Sequence, residues 1–322
     1  MNVKRVLMLA LLIAAQNVLA ADYRWLNGWD RNSPQVPQHA EPYMKAVEAA
    51  TNGRIKFIVN GPETVPAFEQ LQPVASGAFQ FLFTHGVYHF GTTSILGSLD
   101  ALGGTPEQRR ASGIFDLVDK MYQRIGMKVL SVAFSPEGGY QLVVRQPLTA
   151  AGDLQGRKIR GNPAYAGVIR MLGASVVTMP VGEIYTALDK GVVDGFAYPT
   201  YGVLDARYYE VSKHLVRPAF GYGTLPILVN LATWNKFSAT DQKILIDEAR
   251  KAELRWFDTV KGIMANEERE LLAKGMTIVQ MAPEHAAKVQ RVFADSIWEM
   301  GAQKHKKDID ELRAFAKAKG LD

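Results

Sequence analysis

Asp153-Leu-Gln-Gly-Arg-Lys-Ile-Arg160-Gly-Asn162-Pro163 is the most informative stretch of the chain. Residues 158–160 suit a short strand, and Pro163 opens a helical pattern that runs to residue 172, because proline is well tolerated at the first helical position. An arginine at a strand end, followed by Gly-Asn-Pro and a helix start, aims a planar guanidinium and free backbone donors at one spot. That suits a carboxylate: the guanidinium fork binds two oxygens at once, and the helix end favours negative charge. A surface arginine paired with a neighbouring acid would show the same spacing, so spacing alone leaves both readings open.

Outward from this stretch, strand-like and helix-like segments alternate. Downstream come a strand at 175–178, a helix at 182–190 and a strand at 193–198, with connections of the two to six residues that packed α/β units use. Upstream are strands at 23–27, 54–59, 78–84, 128–133 and 141–145, and helices at 38–51, 66–76 and 106–125. Ser135-Pro-Glu-Gly-Gly139 separates two of these strands and reads as a hinge. A strand at 225–232 returns towards the first region, and Ser238 with Asp241 caps a helical pattern reaching Lys274. About 36 residues at about 1.5 Å each give roughly 54 Å, so this helix must bridge two domains or bend. A last strand at 276–280 precedes C-terminal helices opened by Pro283.

The length of 322 residues fits two domains, and 48% hydrophobic with 21% charged residues is ordinary for a chain that buries a sizeable core. The fold class is therefore α/β. The net charge of +5 comes from 37 basic and 32 acidic groups spread without a basic block, which disfavours a nucleic-acid partner. Zero cysteine excludes thiol nucleophiles, disulfides and Cys-ligated metals. Residues 1–20 read as a cleaved secretory signal: Lys4 and Arg5, an apolar run over 6–15, then Val18-Leu19-Ala20. No later apolar stretch approaches the roughly 20 residues of a membrane span. An exported protein that does not itself span the membrane is expected.

Catalytic motifs are missing. There is no Gly-x-Ser-x-Gly, no phosphate loop and no dinucleotide fingerprint. His85 and His89 stand four apart, but without the glutamate of a metalloprotease pair or a nearby third ligand. No metal and no cofactor are expected; one polar loop histidine and one packed histidine are.

Leu154-Gln-Gly-Arg-Lys-Ile-Arg160, Leu172-Gly-Ala-Ser175, Met179-Pro-Val-Gly-Glu183-Ile-Tyr185-Thr-Ala-Leu188 and Gly191-Val-Val-Asp194-Gly195 with Pro199 resemble the extracytoplasmic solute-binding subunits of tripartite ATP-independent periplasmic (TRAP) transporters, the DctP-like family. Gly53-Arg-Ile-Lys56, Gln70-Leu-Gln-Pro-Val-Ala-Ser-Gly77 and Trp234 match more loosely. The resemblance implies a two-domain periplasmic-binding-protein fold, with crossing strands, a long bridging helix and a ligand cleft between the domains. Set on the hinge read above, the division is residues 21–137 plus 225–263 for one domain and 138–224 plus 264–322 for the other. The resemblance further implies a periplasmic, non-enzymatic receptor that hands a small carboxylate to a TRAP membrane permease; a monomer is expected.

Within that resemblance Arg160 corresponds to the arginine that forms the salt bridge to the ligand carboxylate, and Asn162 lies near a secondary polar contact. Phe196-Ala197-Tyr198 stands where the family commonly has Gln-Glu-Asn, and Tyr140 stands where some members carry a second arginine. Thr84 and His85 fall where others present ligand-facing groups. Phe196 and Tyr198 share one face of their strand; with Tyr140 and Trp29 they would give flat walls around one fixed cation. One cation neutralises one carboxylate, so a hydroxy- or keto-substituted monocarboxylate with an apolar or aromatic tail is expected. The second reading is a periplasmic hydrolase using His85 and a nearby acid.

Overall fold

Two sheets, seen in a computed structural model that describes residues 21–322, frame the molecule. The signal-peptide reading lies outside the described residues. In chain order the strands are β1 (Ala21–Asn27), β2 (Ile55–Asn60), β3 (Phe81–Phe83), β4 (Met127–Phe134), β5 (Tyr140–Val144), β6 (Lys158–Arg160), β7 (Ser175–Val177), β8 (Gly195–Pro199), β9 (His214–Phe220), β10 (Thr224–Asn230) and β11 (Thr277–Gln280). The first sheet has the order β2-β1-β3-β10-β4 and the second β11-β9-β5-β8-β6-β7.

β1 runs parallel to β2 and β3, whereas β10 is antiparallel to both β3 and β4. Phe81, Leu82 and Phe83 are all fully buried, as an unbroken apolar run should be in a strand covered on both faces. In the second sheet β5 pairs antiparallel with β8 and β9, and β6 pairs parallel with β7 and β8. β9 was not anticipated from the sequence. Pro218 interrupts its apolar pattern, and proline inside a run argues against a strand.

The chain crosses from the first sheet to the second between β4 and β5 and returns between β9 and β10. The two crossings are bonded to each other: Ser135 N donates to Gly223 O (2.9 Å), Gly223 N to Ser135 Oγ (2.9 Å), and Gly139 N to Gly221 O (2.9 Å). Gly221 sits at φ +70, and an added Cβ would come within 2.6 Å of the Phe293 ring. Only glycine fits that turn without displacing the ring.

The long helix occupies Ala239–Ala273, and Ser238 Oγ accepts from Asp241 N at 3.1 Å. Its first half packs Leu245, Ala249, Ala252 and Trp256 against Trp25, Phe83 and Leu130 of the first sheet. Further along, Glu267 accepts from Gly202 N (2.6 Å), Val203 N (2.5 Å) and Leu204 N (3.0 Å), and Leu271 joins a cluster with Val143, Phe196 and Leu215 of the second sheet. The helix thus touches both sheets, the first of the two alternatives that its length left open. The expected single helix at 106–125 is two, Pro106–Ser112 and Ile114–Gln123, broken by Gly113 at φ +82. The last helix, Val289–Ala318, carries Phe293, Ile297 and Trp298 into a core shared by residues of both sheets.

Candidate functional site

The ends of β5, β6, β8 and β10 converge with the segments after β1 and β3 around a cavity of about 40 Å³. Trp29, Pro34, Val181 and Tyr198 line both this cavity and an outer cleft of about 1030 Å³, so they form the gate between the two.

Arg160 ends β6, and its side chain is 2% exposed. Its Nε and Nη2 donate to Met179 O (3.1 and 2.9 Å), and Nη1 donates to Ala197 O (3.2 Å). A guanidinium has five N–H groups. Three are used, and one remains on each of Nη1 and Nη2, the pair that a bidentate carboxylate needs. No ion pair among the described residues includes Arg160. The alternative of a surface arginine paired with a neighbouring acid is therefore corrected: this cation is buried and has no acidic partner. Leaving it so is costly, by several kcal/mol in a dry site; the two carbonyls offset part of that, and an anion would offset the rest.

Asn162 precedes the short turn Pro163–Tyr165, and its Oδ1 accepts from Ala164 N at 2.9 Å. That cap occupies the amide oxygen and leaves Nδ2 to donate into the cavity it lines. Five tyrosines also line the cavity: Tyr88, Tyr140, Tyr165, Tyr198 and Tyr201. Burial pushes their phenols up from the ordinary value, so they stay neutral and can donate. Tyr140 is turned to His85 and Asp100, with Oη 2.8 Å from His85 Nε2 and 2.8 Å from Asp100 Oδ2.

Of the eight residues singled out from sequence, Trp29, His85, Tyr140, Arg160, Asn162 and Tyr198 line the cavity, and Thr84 and Phe196 do not. Thr84 is fully buried, with Oγ1 2.9 Å from His89 Nε2. The backbone at His85 is extended (φ −106, ψ 128), and successive side chains on extended backbone face opposite ways, so Thr84 and His85 cannot share one pocket. Phe196 does lie beside Tyr198, with rings 5.8 Å apart, but it packs beneath it against Tyr208. His89, fully within a short turn at Gly86–His89, points to Thr84 rather than joining His85 as a ligand pair.

Sequence reasoning missed Asp100, Tyr88, Tyr165, Tyr201 and Thr224. Asp100 carried a usable signal: a lone acid inside the apolar run from Ile95 to Leu102 is seldom buried without partners. The tyrosines come from distant segments and carry none.

The family model described as bacterial extracellular solute-binding protein, family 7 (DctP) matches residues 27–304. The chain is 26% identical over 219 residues to the ectoine-binding periplasmic protein TeaA of Halomonas elongata, covering 65% of this chain and 62% of that one. It is 33% identical over 164 residues to a solute-binding protein of Verminephrobacter eiseniae, 48% of this chain and 46% of that one. These two matches span less than two thirds of the relatives' lengths. A monocarboxylate 2-oxoacid-binding periplasmic protein of Nostoc is 26% identical over 298 residues, 86% of this chain and 79% of the relative. In fold, the chain superposes on a Bordetella pertussis extracytoplasmic solute receptor binding pyroglutamic acid with a TM-score of 0.79 at 16% identity, covering 92% of this chain and 100% of that one.

Proposed function

This chain belongs to the DctP family, bacterial extracellular solute-binding protein family 7, and from that premise we propose that it captures one small organic monocarboxylate and delivers it, in the periplasm, to a TRAP membrane permease. The observation that carries the reading is Arg160, buried, without an acidic partner, and holding one free N–H on each terminal nitrogen. Asn162 Nδ2 and the phenols of Tyr88, Tyr165, Tyr198 and Tyr201 supply hydrogen bonds around that seat. Relatives named for binding ectoine, monocarboxylate 2-oxoacids and 2,3-diketo-L-gulonate support a small organic acid as the ligand class.

The finer ligand class follows from charge. Arg160 is the one cation lining the inner cavity among the described residues, so a dicarboxylate would bury a second charge without a partner. The tail leaves through the gate of Trp29, Val181 and Tyr198, which favours an apolar or aromatic group there. Calorimetry is expected to rank branched or aromatic 2-substituted monocarboxylates at least about tenfold tighter than succinate or malate. Tighter binding of succinate or malate would overturn the monocarboxylate assignment while leaving Arg160 as the seat.

Capture requires motion, and the lobes of 21–137 plus 225–263 and of 138–224 plus 264–322 would close by bending near 137–139, 223–225 and 261–262. Small-angle scattering should show a smaller radius of gyration on saturation with a tight ligand; an unchanged radius would rule out closure. The hydrolase alternative has no support. His85 does meet an acid, Asp100, but no serine or threonine hydroxyl is bonded to its ring among the described residues, and the family binds solutes.

A further inference from the structure

Asp100 is a fully buried carboxylate that the capture of a carboxylate by Arg160 leaves unused. Its Oδ1 accepts from Thr224 N (3.1 Å) and Thr224 Oγ1 (2.5 Å). Its Oδ2 accepts from Tyr140 Oη (2.8 Å) and lies 2.9 Å from His85 Nε2. Tyr140 Oη directs its hydrogen at Asp100 Oδ2, so both oxygens facing Nε2 are acceptors there. A carboxylate only accepts, and the ring proton must therefore sit on Nε2.

The other ring nitrogen, Nδ1, has no protein partner among the described residues, is not one of the sealed-in unpartnered atoms, and belongs to a residue lining the cavity that holds Arg160. The charged and titratable groups around this ring are Asp100, Tyr140, Tyr88 edge-on at 5.4 Å, His89 on the same turn, and two buried guanidiniums, Arg109 near Asp100 and Arg160 across the cavity. Asp100 accepts from Thr224 N, Thr224 Oγ1 and Tyr140 Oη, and a ring proton on His85 Nε2 supplies its fourth donor. One ring proton on Nε2, with the lone pair on Nδ1, matches each of these contacts.

We propose that the Asp100–His85 pair is a tautomer-fixed acceptor that reads a hydroxyl on the carbon next to the ligand carboxylate, so that this receptor takes 2-hydroxy acids in preference to 2-oxo acids bearing the same tail. The inference rests on the carboxylate being seated at Arg160. Arg160 and His85 line the same cavity, with Tyr88 and Tyr140 beside the His85 ring, so in this proposal the group that meets Nδ1 is the substituent next to the carboxylate. A hydroxyl donates to Nδ1; an oxo oxygen has no proton and sets lone pair against lone pair, and sites built for a hydroxyl discriminate strongly against its absence. His85 is the contact and Asp100 the positioning residue.

Calorimetry at pH 8 on the full mature chain tests this with matched pairs: lactate and pyruvate, 2-hydroxyisovalerate and 2-oxoisovalerate, mandelate and phenylglyoxylate. Wild type is expected to favour the hydroxy acid by at least about tenfold. His85→Gln, whose amide both donates and accepts, should bring that ratio to about one. Asp100→Asn should reverse it: the Thr224 donors hold the amide oxygen, the amide N–H then faces Nε2, and the ring proton moves to Nδ1, where it donates to an oxo group. Simple loss of packing would weaken both acids alike and reverse nothing. Should Asp100→Asn not fold, the wild-type ratio and His85→Gln still decide. Binding of both acids with a ratio near one, or favouring the oxo acid, in wild type overturns the inference and leaves the carboxylate seat standing. If none of the acids binds, the carboxylate reading falls and takes the inference with it.

Discussion

Arg160→Lys is expected to bind the cognate acid about 30- to 1000-fold more weakly while remaining folded, a loss of about 2 to 4 kcal/mol. Lysine keeps the charge but presents it as a point, with three donors on one nitrogen. In the wild type Met179 O and Ala197 O take three of the guanidinium's N–H groups and hold it flat; on the proposed reading the remaining two take the ligand carboxylate. An ammonium that satisfies those carbonyls cannot also reach both ligand oxygens, and one that reaches the ligand leaves buried carbonyls unpaired. Folding should survive because the shorter head still has acceptors in reach. Calorimetry reads the affinity and near-ultraviolet dichroism the fold; wild-type affinity in a folded variant would mean that the carboxylate sits elsewhere.

How much of this site could be read from sequence depends on how local each signal is. Arg160 and Asn162 were legible because strand end, Gly-Asn cap and Pro-led turn follow one another within a few residues, and that local order brings both to the cavity. The long helix was legible from its cap and its length. Tyr140 and Tyr198 were placed by resemblance, and both line the cavity because β5 and β8 pair with Tyr140 opposite Pro199. Thr84 and Phe196 were misplaced for a different reason. Alternation says which residues share a face, but not which face of a three-residue strand looks into a cleft, nor how deep along β8 the cavity ends. Asp100 was missed because its partners, His85, Tyr140 and Thr224, lie on both sides of the two crossings. Their meeting is a property of the assembled fold.

His39→Phe is expected to gain stability over wild type steadily as the pH falls below about 6.5, by about 1.4 kcal/mol per pH unit and so about 2.7 kcal/mol by pH 4.5. His39 is fully buried between the rings of Phe83 (5.5 Å) and Trp256 (5.6 Å), and neither ring nitrogen has a well-aligned hydrogen-bond partner. Burial, and after it the charge of Arg255, pushes its pKa down from 6.5 to about 3, with only a backbone group of Ala252 acting the other way. Between those values the unfolded chain takes up a proton that the folded chain refuses. The unfolded state then binds more protons, so stability is full above pH 6.5 and is lost as the pH falls towards 3. His89, also pushed down to about 3 by burial and then by His85, adds a second proton of the same sign. Glu267 acts in the opposite sense: burial raises its carboxyl from 4.5 to about 7, so its contribution is present below 4.5 and lost as the pH rises to 7. The profile of the whole chain sums these terms, and the comparison with His39→Phe isolates one of them, since a phenyl ring fits between two aromatic rings without a proton to bind. Urea titrations of both proteins at half-unit steps from pH 7.5 to 4.5 measure the difference directly. Parallel stability curves across that range would show that His39 titrates alike in the folded and unfolded chains, and would remove it from the acid sensitivity of the fold.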